Sequence, residues 1–257
     1  MGRSRRAGAA LRELALAQAR MLLRDPRAFV ALLLGFAVLL AMFIGVDMLL
    51  AVSFGASPGL VRGNLGLIAL MGFLAVGLGA TAVPLVTQRE DGLLRQIGTT
   101  PVGRGVFLLT HAPARAVILV AECGVLLMLA TPPGAVDAVS VTAAPLGLTL
   151  LLGAAMLLAL GYLLGARLAR SDAVRHLAYL IPMLALVSSG ALLPLELFPG
   201  PVRILLLALP TTWFVATFDA QLAEADPPLP LGAAWALMAA ATVLMWAAAA
   251  KLFRWHR

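Results

Sequence analysis

Long apolar runs separated by short polar segments organise this chain. Six of them cover residues 28–52, 65–86, 106–130, 145–166, 177–193 and 231–250. An α-helix rises about 1.5 Å per residue, so about 20 apolar residues cross a hydrocarbon core of about 30 Å. Five runs reach that length, and 177–193 sits at the short end of the workable range. The pattern predicts an all-α integral membrane protein with six transmembrane helices. A further apolar stretch, 204–218, is shorter and is interrupted by Pro210. Together with 195–198 and the Pro199-Gly200-Pro201 turn, it reads as a re-entrant helical hairpin between spans five and six. Irregular backbone at that depth must be covered by protein or face a water-filled cavity.

Only 12% of the residues are charged, and the basic ones are sorted by side. Arg3, Arg5, Arg6, Arg12, Arg20, Arg24 and Arg27 precede the first span; Arg89, Arg95 and Arg104 separate the second from the third. Arg167, Arg170 and Arg175 separate the fourth from the fifth, and Lys251, Arg254 and Arg257 follow the sixth. Arg62 and Arg203 lie on the other face, with Arg115 inside a span. Segments rich in Lys and Arg stay in the cytoplasm, so both termini are expected there, in a bacterial plasma membrane. Asp47, Glu196, Asp219, Glu224 and Asp226 then mark the opposite face. The net charge of +7 is explained by these anchors, and no soluble stretch is long enough for a nucleic-acid reader.

Residues 10–25, stopped by Pro26, predict an amphipathic helix lying in the interface, with Glu13, Arg20 and Arg24 on a narrow polar stripe. The following run is too long for a cleavable signal peptide. The whole chain, 1–257, reads as a single transmembrane domain: an interfacial helix at 10–25 and a six-span bundle at 28–250. Gly161 and Gly165 form a small-xxx-small pair, which supports dense packing and weakly indicates a dimer face. Cys123 is the only cysteine, and His111, His176 and His256 are dispersed, so no metal site is expected. Trp213, Trp235 and Trp246 suit interfacial anchoring and packing equally.

Two regions are candidates for function. The first is Gln88-Arg89-Glu90-Asp91-Gly92-Leu93-Leu94-Arg95-Gln96-Ile97-Gly98-Thr99-Thr100-Pro101. It reads as a short charged helix protruding toward a cytoplasmic partner. Arg89, Glu90 and Arg95 would pair across the interface, while Leu93, Leu94 and Ile97 anchor it. The second is the face of span three that carries His111, Arg115 and Glu122, spaced by four and seven. Buried charge in a membrane usually faces protein or water. Glu122 is read as facing a substrate cavity or a dimer partner, with Arg115 at the cavity's cytoplasmic mouth. The alternative has Arg115 reaching to the interface and Glu122 protonated or hydrogen-bonded within the bundle.

The first region resembles the coupling region of type-two ABC exporter permeases, drug exporters among them. There an acidic-Arg-Glu-x-Gly run leads into Leu-Leu-Arg and Thr-Thr-Pro. Gln88 departs from the acidic residue often found at its start, and Leu93 stands where many members have threonine. Ser189-Gly190-Ala191, Leu192-Leu193-Pro194-Leu195-Glu196, Pro199, Pro201, Arg203 and Leu209-Pro210-Thr211-Thr212 are similar to the family's re-entrant region. The resemblance implies an ATP-driven exporter of two permease subunits, identical or homologous, and two separate ATPase subunits. Residues Arg89–Arg95 and Ile97, including Asp91 and Gly92, would dock in a groove of the ATPase. ATP and Mg would be bound by that partner, since the chain has no Gly-x-x-x-x-Gly-Lys-Ser/Thr loop of its own. No cofactor and no catalytic residue are expected in this chain.

The cargo path is expected near His111, Arg115, Glu122 and Glu196. An amphiphilic drug, lipid or small peptide suits the short external loops. An ion-coupled secondary transporter would show internal repeats, and an intramembrane enzyme a Ser/His pair, paired Asp residues or a metal cluster; neither pattern is evident. A non-transporting membrane scaffold is the remaining alternative.

Overall fold

The computed structural model describes residues 26–54, 60–97, 103–130, 139–189, 197–222 and 229–253. The interfacial helix expected at 10–25 and residues 98–102 lie outside the described residues, as do 190–196 with Glu196. Glu224, Asp226, Arg254, His256 and Arg257 lie outside them too. Beside a single helical turn at Leu60–Gly63, the described helices are α1 (Pro26–Phe54), α2 (Leu65–Glu90), α3 (Leu93–Ile97), α4 (Arg104–Ala130) and α5 (Val139–Arg167). They continue with α6 (Ser171–Ser188), α7 (Gly200–Leu207), α8 (Pro210–Leu222) and α9 (Leu231–Leu252), and no strand occurs among the described residues.

Helices α1, α2, α4, α5 and α9 are long and apolar enough to cross a bilayer. Helix α6 differs from its predicted bounds: it starts at Ser171, ahead of the apolar run, and is described to Ser188. Its first turns carry Asp172, Arg175 and His176, which leaves it less apolar than the other five. Its 18 residues reach about 27 Å at 1.5 Å each. Helices α7 and α8 together are apolar enough to span, but they meet at 87°. Pro210 causes that break: it has no N–H to continue α7, and its fixed φ suits the first turn of α8. The Trp213 indole N–H closes the corner by donating to Leu207 O at 2.7 Å.

Helix α2 is the centre of the bundle. Of its apolar window 78% is buried within the chain, against 6% for α1. A helix apolar on every side is suited to that place. Lipid offers apolar groups as good a home as protein does, so close packing must hold the helices together. Gly77 and Gly161 meet backbone to backbone: a Cβ at Gly161 would collide with Gly77 O, and one at Gly77 would lie 2.5 Å from Leu157 O. A Cβ at Gly165 would lie 3.2 Å from Ala82 Cα. The Gly161/Gly165 pair is therefore used inside the chain, between α5 and α2.

Trp235 and Trp246 also face protein. Trp235 donates to Thr149 Oγ1 at 2.9 Å, and Trp246 meets the Tyr162 ring edge-on at 4.8 Å.

Gly161→Ala is expected to cost about 1–3 kcal/mol through overpacking against an immovable backbone. That appears as a lowered thermal unfolding midpoint in detergent. Gly147→Ala, where nothing lies within 4 Å of the added Cβ, should leave the midpoint in place. Equal midpoints for the two variants would contradict the helix contact.

Candidate functional site

The end of α2 carries two adjacent residues of opposite charge, and each closes the end of another helix. The last carbonyls of a helix lack partners and carry its negative dipole end; the first N–H groups carry the positive end. Arg89 donates from Nη1 to Leu168 O at 2.7 Å and from Nη2 to Gly165 O at 3.1 Å, at the C-terminus of α5. Its guanidinium also lies 5.3 Å from the centre of the Phe253 ring, just beyond α9, a cation–π arrangement. Glu90 Oε1 accepts the Ser171 N–H at 3.1 Å, at the start of α6. Cation on C-terminus and anion on N-terminus is the electrostatically favourable assignment at both ends. The ends of α2, α5 and α9 and the beginning of α6 are thereby fastened together.

Beyond Glu90 the chain turns. Asp91 N–H donates to Thr87 O at 2.9 Å and Gly92 N–H to Arg89 O at 3.2 Å. Gly92 adopts φ +78°, a left-handed conformation that costs other residues about 1–2 kcal/mol. Helix α3 follows, pinned by the fully buried Leu94. Asp91 and Arg95 are exposed, and Leu93 is half-buried.

This placement changes the role expected of the segment. Arg89 and Leu94 face the bundle, and Glu90 is engaged with α6, because uncapped helix ends and an apolar anchor are satisfied there. Among the described side chains of the segment, Asp91 and Arg95 are exposed and Leu93 is partly so. The side chain of Ile97 lies outside the described residues.

His111, Arg115 and Glu122 do share one face of α4, and that face is buried within the chain. Arg115 does not reach to the interface. It donates from Nε and Nη2 to Ala80 O at 3.2 and 3.1 Å, and from Nη1 to His111 O at 3.0 Å. His111 Nδ1 lies 3.2 Å from Phe107 O. Glu122 lies beside α2 and α1: a Cβ on Gly72 would be 3.1 Å from Glu122 Oε2 and 2.8 Å from the Phe36 ring. Glu122 Oε2, His111 Nε2 and Tyr162 OH are buried with no hydrogen-bond partner among the described residues.

An open groove lies on another side of α2. A groove of about 480 Å³ runs between α2 and α6, lined by Leu74, Ala75, Leu78, Gly79, Val83, Arg175, Ala178 and Tyr179. Sequence reasoning passed over Arg175 and Tyr179, taking the first as a topological anchor. The available signal was the polar start of α6, which places Asp172, Arg175, His176 and Tyr179 within two turns.

At the other end of the bundle the capping recurs. Thr212 Oγ1 of α8 donates to Ser188 O at the C-terminus of α6, at 3.0 Å. The Asp219 carboxylate of α8 packs directly against Gly66 at the N-terminus of α2, where an added Cβ would collide with Oδ1. Thr149 Oγ1 donates to Gln221 Oε1 at 2.9 Å. Helix α6 thus runs from the C-terminal end of α2 to the α8 side, capped at both ends by other helices.

Residues 56–251, more than half of the chain, match the family described as ABC-2 family transporter protein. The chain belongs to that family. It is a multi-pass membrane protein and the transmembrane permease subunit of an ABC transporter, not itself catalytic, in a family that associates with ABC ATPase subunits. No curated protein gives a significant match to the chain.

Arg89→Ala removes two charge-assisted hydrogen bonds and leaves two carbonyls at the α5 terminus without partners. A loss of about 1.5–3 kcal/mol is expected, read as a lowered unfolding midpoint in detergent. Arg89→Lys, whose single ammonium lacks the two-pronged fork, should recover only part of it. Full stability of Arg89→Ala would show that the clamp is not needed.

Proposed function

We propose that this chain forms the membrane path of an ATP-driven exporter for an amphiphilic small molecule, lipid or peptide. The observation that carries the reading is the end of α2. An exposed Asp91–Arg95 surface, shaped by the left-handed Gly92, is backed by two side chains fastened to α5 and α6. A partner pressing on that surface pushes on helix ends and not on a slack loop. Two ATPase subunits, holding ATP and Mg, dock there on two permease copies, identical or homologous.

The residue range 1–257 acts as one permease domain in a bacterial plasma membrane. An interfacial helix at 10–25 and both termini lie on the cytoplasmic side. Helix α6 is the fifth crossing, and α7–α8 re-enter from the outer face. Two contacts support the re-entrant reading. Thr212 meets the end of α6, and Asp219, seven residues on, meets the start of α2. Both ends of α8 therefore stay at one end of the bundle. The cargo path follows the α2–α6 groove, whose apolar wall and single Arg175 suit an amphiphile. His111, Arg115 and Glu122 act from behind α2, and Glu196 belongs to the outer re-entrant region.

The test is reconstitution in vesicles with the cognate ATPase. Transport should require ATP and Mg and survive collapse of ion gradients. Transport that survives ATP removal but needs an ion gradient would contradict the proposal in favour of a secondary transporter. Arg95→Glu should weaken copurification of the ATPase by roughly tenfold while leaving the permease folded, since it reverses charge on the exposed surface only. Undiminished copurification would remove Arg95 from the interface.

A further inference from the structure

Midway along α2, residues Ala75–Ala82 wind as a π-helix. Hydrogen bonds there run from i to i+5, and such turns inside α-helices recur at functional sites. The helix is cleanly α-helical on either side, at Leu65–Leu74 and Val83–Glu90. Two side chains bond to carbonyls of the π segment. Thr81 Oγ1 donates to Val76 O, five residues back, at 2.9 Å. Arg115, on α4, clasps Ala80 O with two of its nitrogens at 3.2 and 3.1 Å.

A guanidinium is a costly way to satisfy two carbonyls, Ala80 O and His111 O, inside a membrane; a charged residue at mid-bilayer costs about 2.5–3.5 kcal/mol even on insertion scales. A Ser or Thr hydroxyl supplies a hydrogen bond without that cost. What the guanidinium adds is a rigid fork that fixes where the carbonyl sits. The two halves of α2 are held by different neighbours. The outer half packs against the Asp219 carboxylate at Gly66, whereas the inner half is fastened through Arg89 and Glu90 to α5 and α6. Each residue that passes between π and α winding changes the twist and rise at its step, and over the eight residues Ala75–Ala82 these changes add up to turn and shift the half of the helix beyond. The same π segment lines the groove through Ala75, Leu78 and Gly79, so a twist there reshapes the groove wall.

We infer that the π segment is the joint on which the inner half of α2 twists, and that Arg115 is the positioning residue that sets its resting register. This rests on the permease reading above. Arg115 touches no cargo; it holds the joint from behind, and releasing Ala80 O frees the inner half to move.

Spin labels at positions 62 and 95, exposed and near opposite ends of α2, report the joint in the purified permease alone. Arg115→Gln should shift or broaden that distance by several ångströms (about two to three rises of 1.5 Å). Arg115→Lys should restore it in part. With the ATPase added, Arg115→Gln should raise the ATP consumed per cargo molecule at least about threefold, a change that lost stability alone does not produce. If Arg115→Gln does not fold, Arg115→Lys and Thr81→Val carry the same distance measurement, with broadening expected in each. An unchanged distance and an unchanged coupling ratio in folded variants would overturn the latch. Absence of ATP-driven transport by the unmodified complex would instead overturn the permease reading, whatever the distances show.

Discussion

Inside a bilayer no water is available to bond a stray backbone group, so every broken helix must be closed by protein. That constraint accounts for the placement of Arg89, Glu90, Thr212 and Arg115. Arg89 closes α5, Glu90 and Thr212 close the two ends of α6, and Arg115 holds the carbonyl of Ala80 in the π segment. Each donor or acceptor comes from a different helix than the one it closes. The caps therefore also bind the bundle together, where apolar contact alone gives little advantage over lipid.

The capping pattern defines what can move. Helix α2 is clamped at its C-terminal end, packed at its start against Asp219, pressed against α5 at Gly77, and wound as a π-helix from Ala75 to Ala82. On the proposed function, motion imposed on Asp91 and Arg95 would pass through Arg89 and Glu90 to α5 and α6. Helix α6 forms one wall of the groove and α2 the other, so one push would act on both walls. Two-state behaviour of this kind needs a discrete element with two arrangements, and the π segment supplies a candidate.

Much of this was legible in the chain itself. Apolar run length located the long helices, because bilayer thickness fixes how many residues must be apolar. The spacing of His111, Arg115 and Glu122 placed them on one face, and helical geometry guaranteed it. Pro210 marked the corner between α7 and α8. The direction in which that face of α4 points was not legible, because periodicity says which residues share a side and not what lies opposite. The same gap explains Arg89 and Leu94, read as surface and found facing inward. A charged residue after an apolar run looks solvated unless the open carbonyls at Gly165 and Leu168 are known to sit beside it. Gly161 and Gly165 announced a close approach without naming the partner, which is α2 of the same chain. The π segment left no signal, since Ala-Val-Gly-Leu-Gly-Ala-Thr-Ala suits α winding equally well.

The most direct measurement is amide hydrogen exchange in the assembled transporter, with and without a non-hydrolysable ATP analogue. Nucleotide should change exchange at 87–97 and at 171–178 together in the unmodified complex. In Glu90→Ala the first change should persist and the second should disappear. Equal responses at 171–178 with and without the Glu90 carboxylate would contradict the account, since the push would then reach α6 by another route.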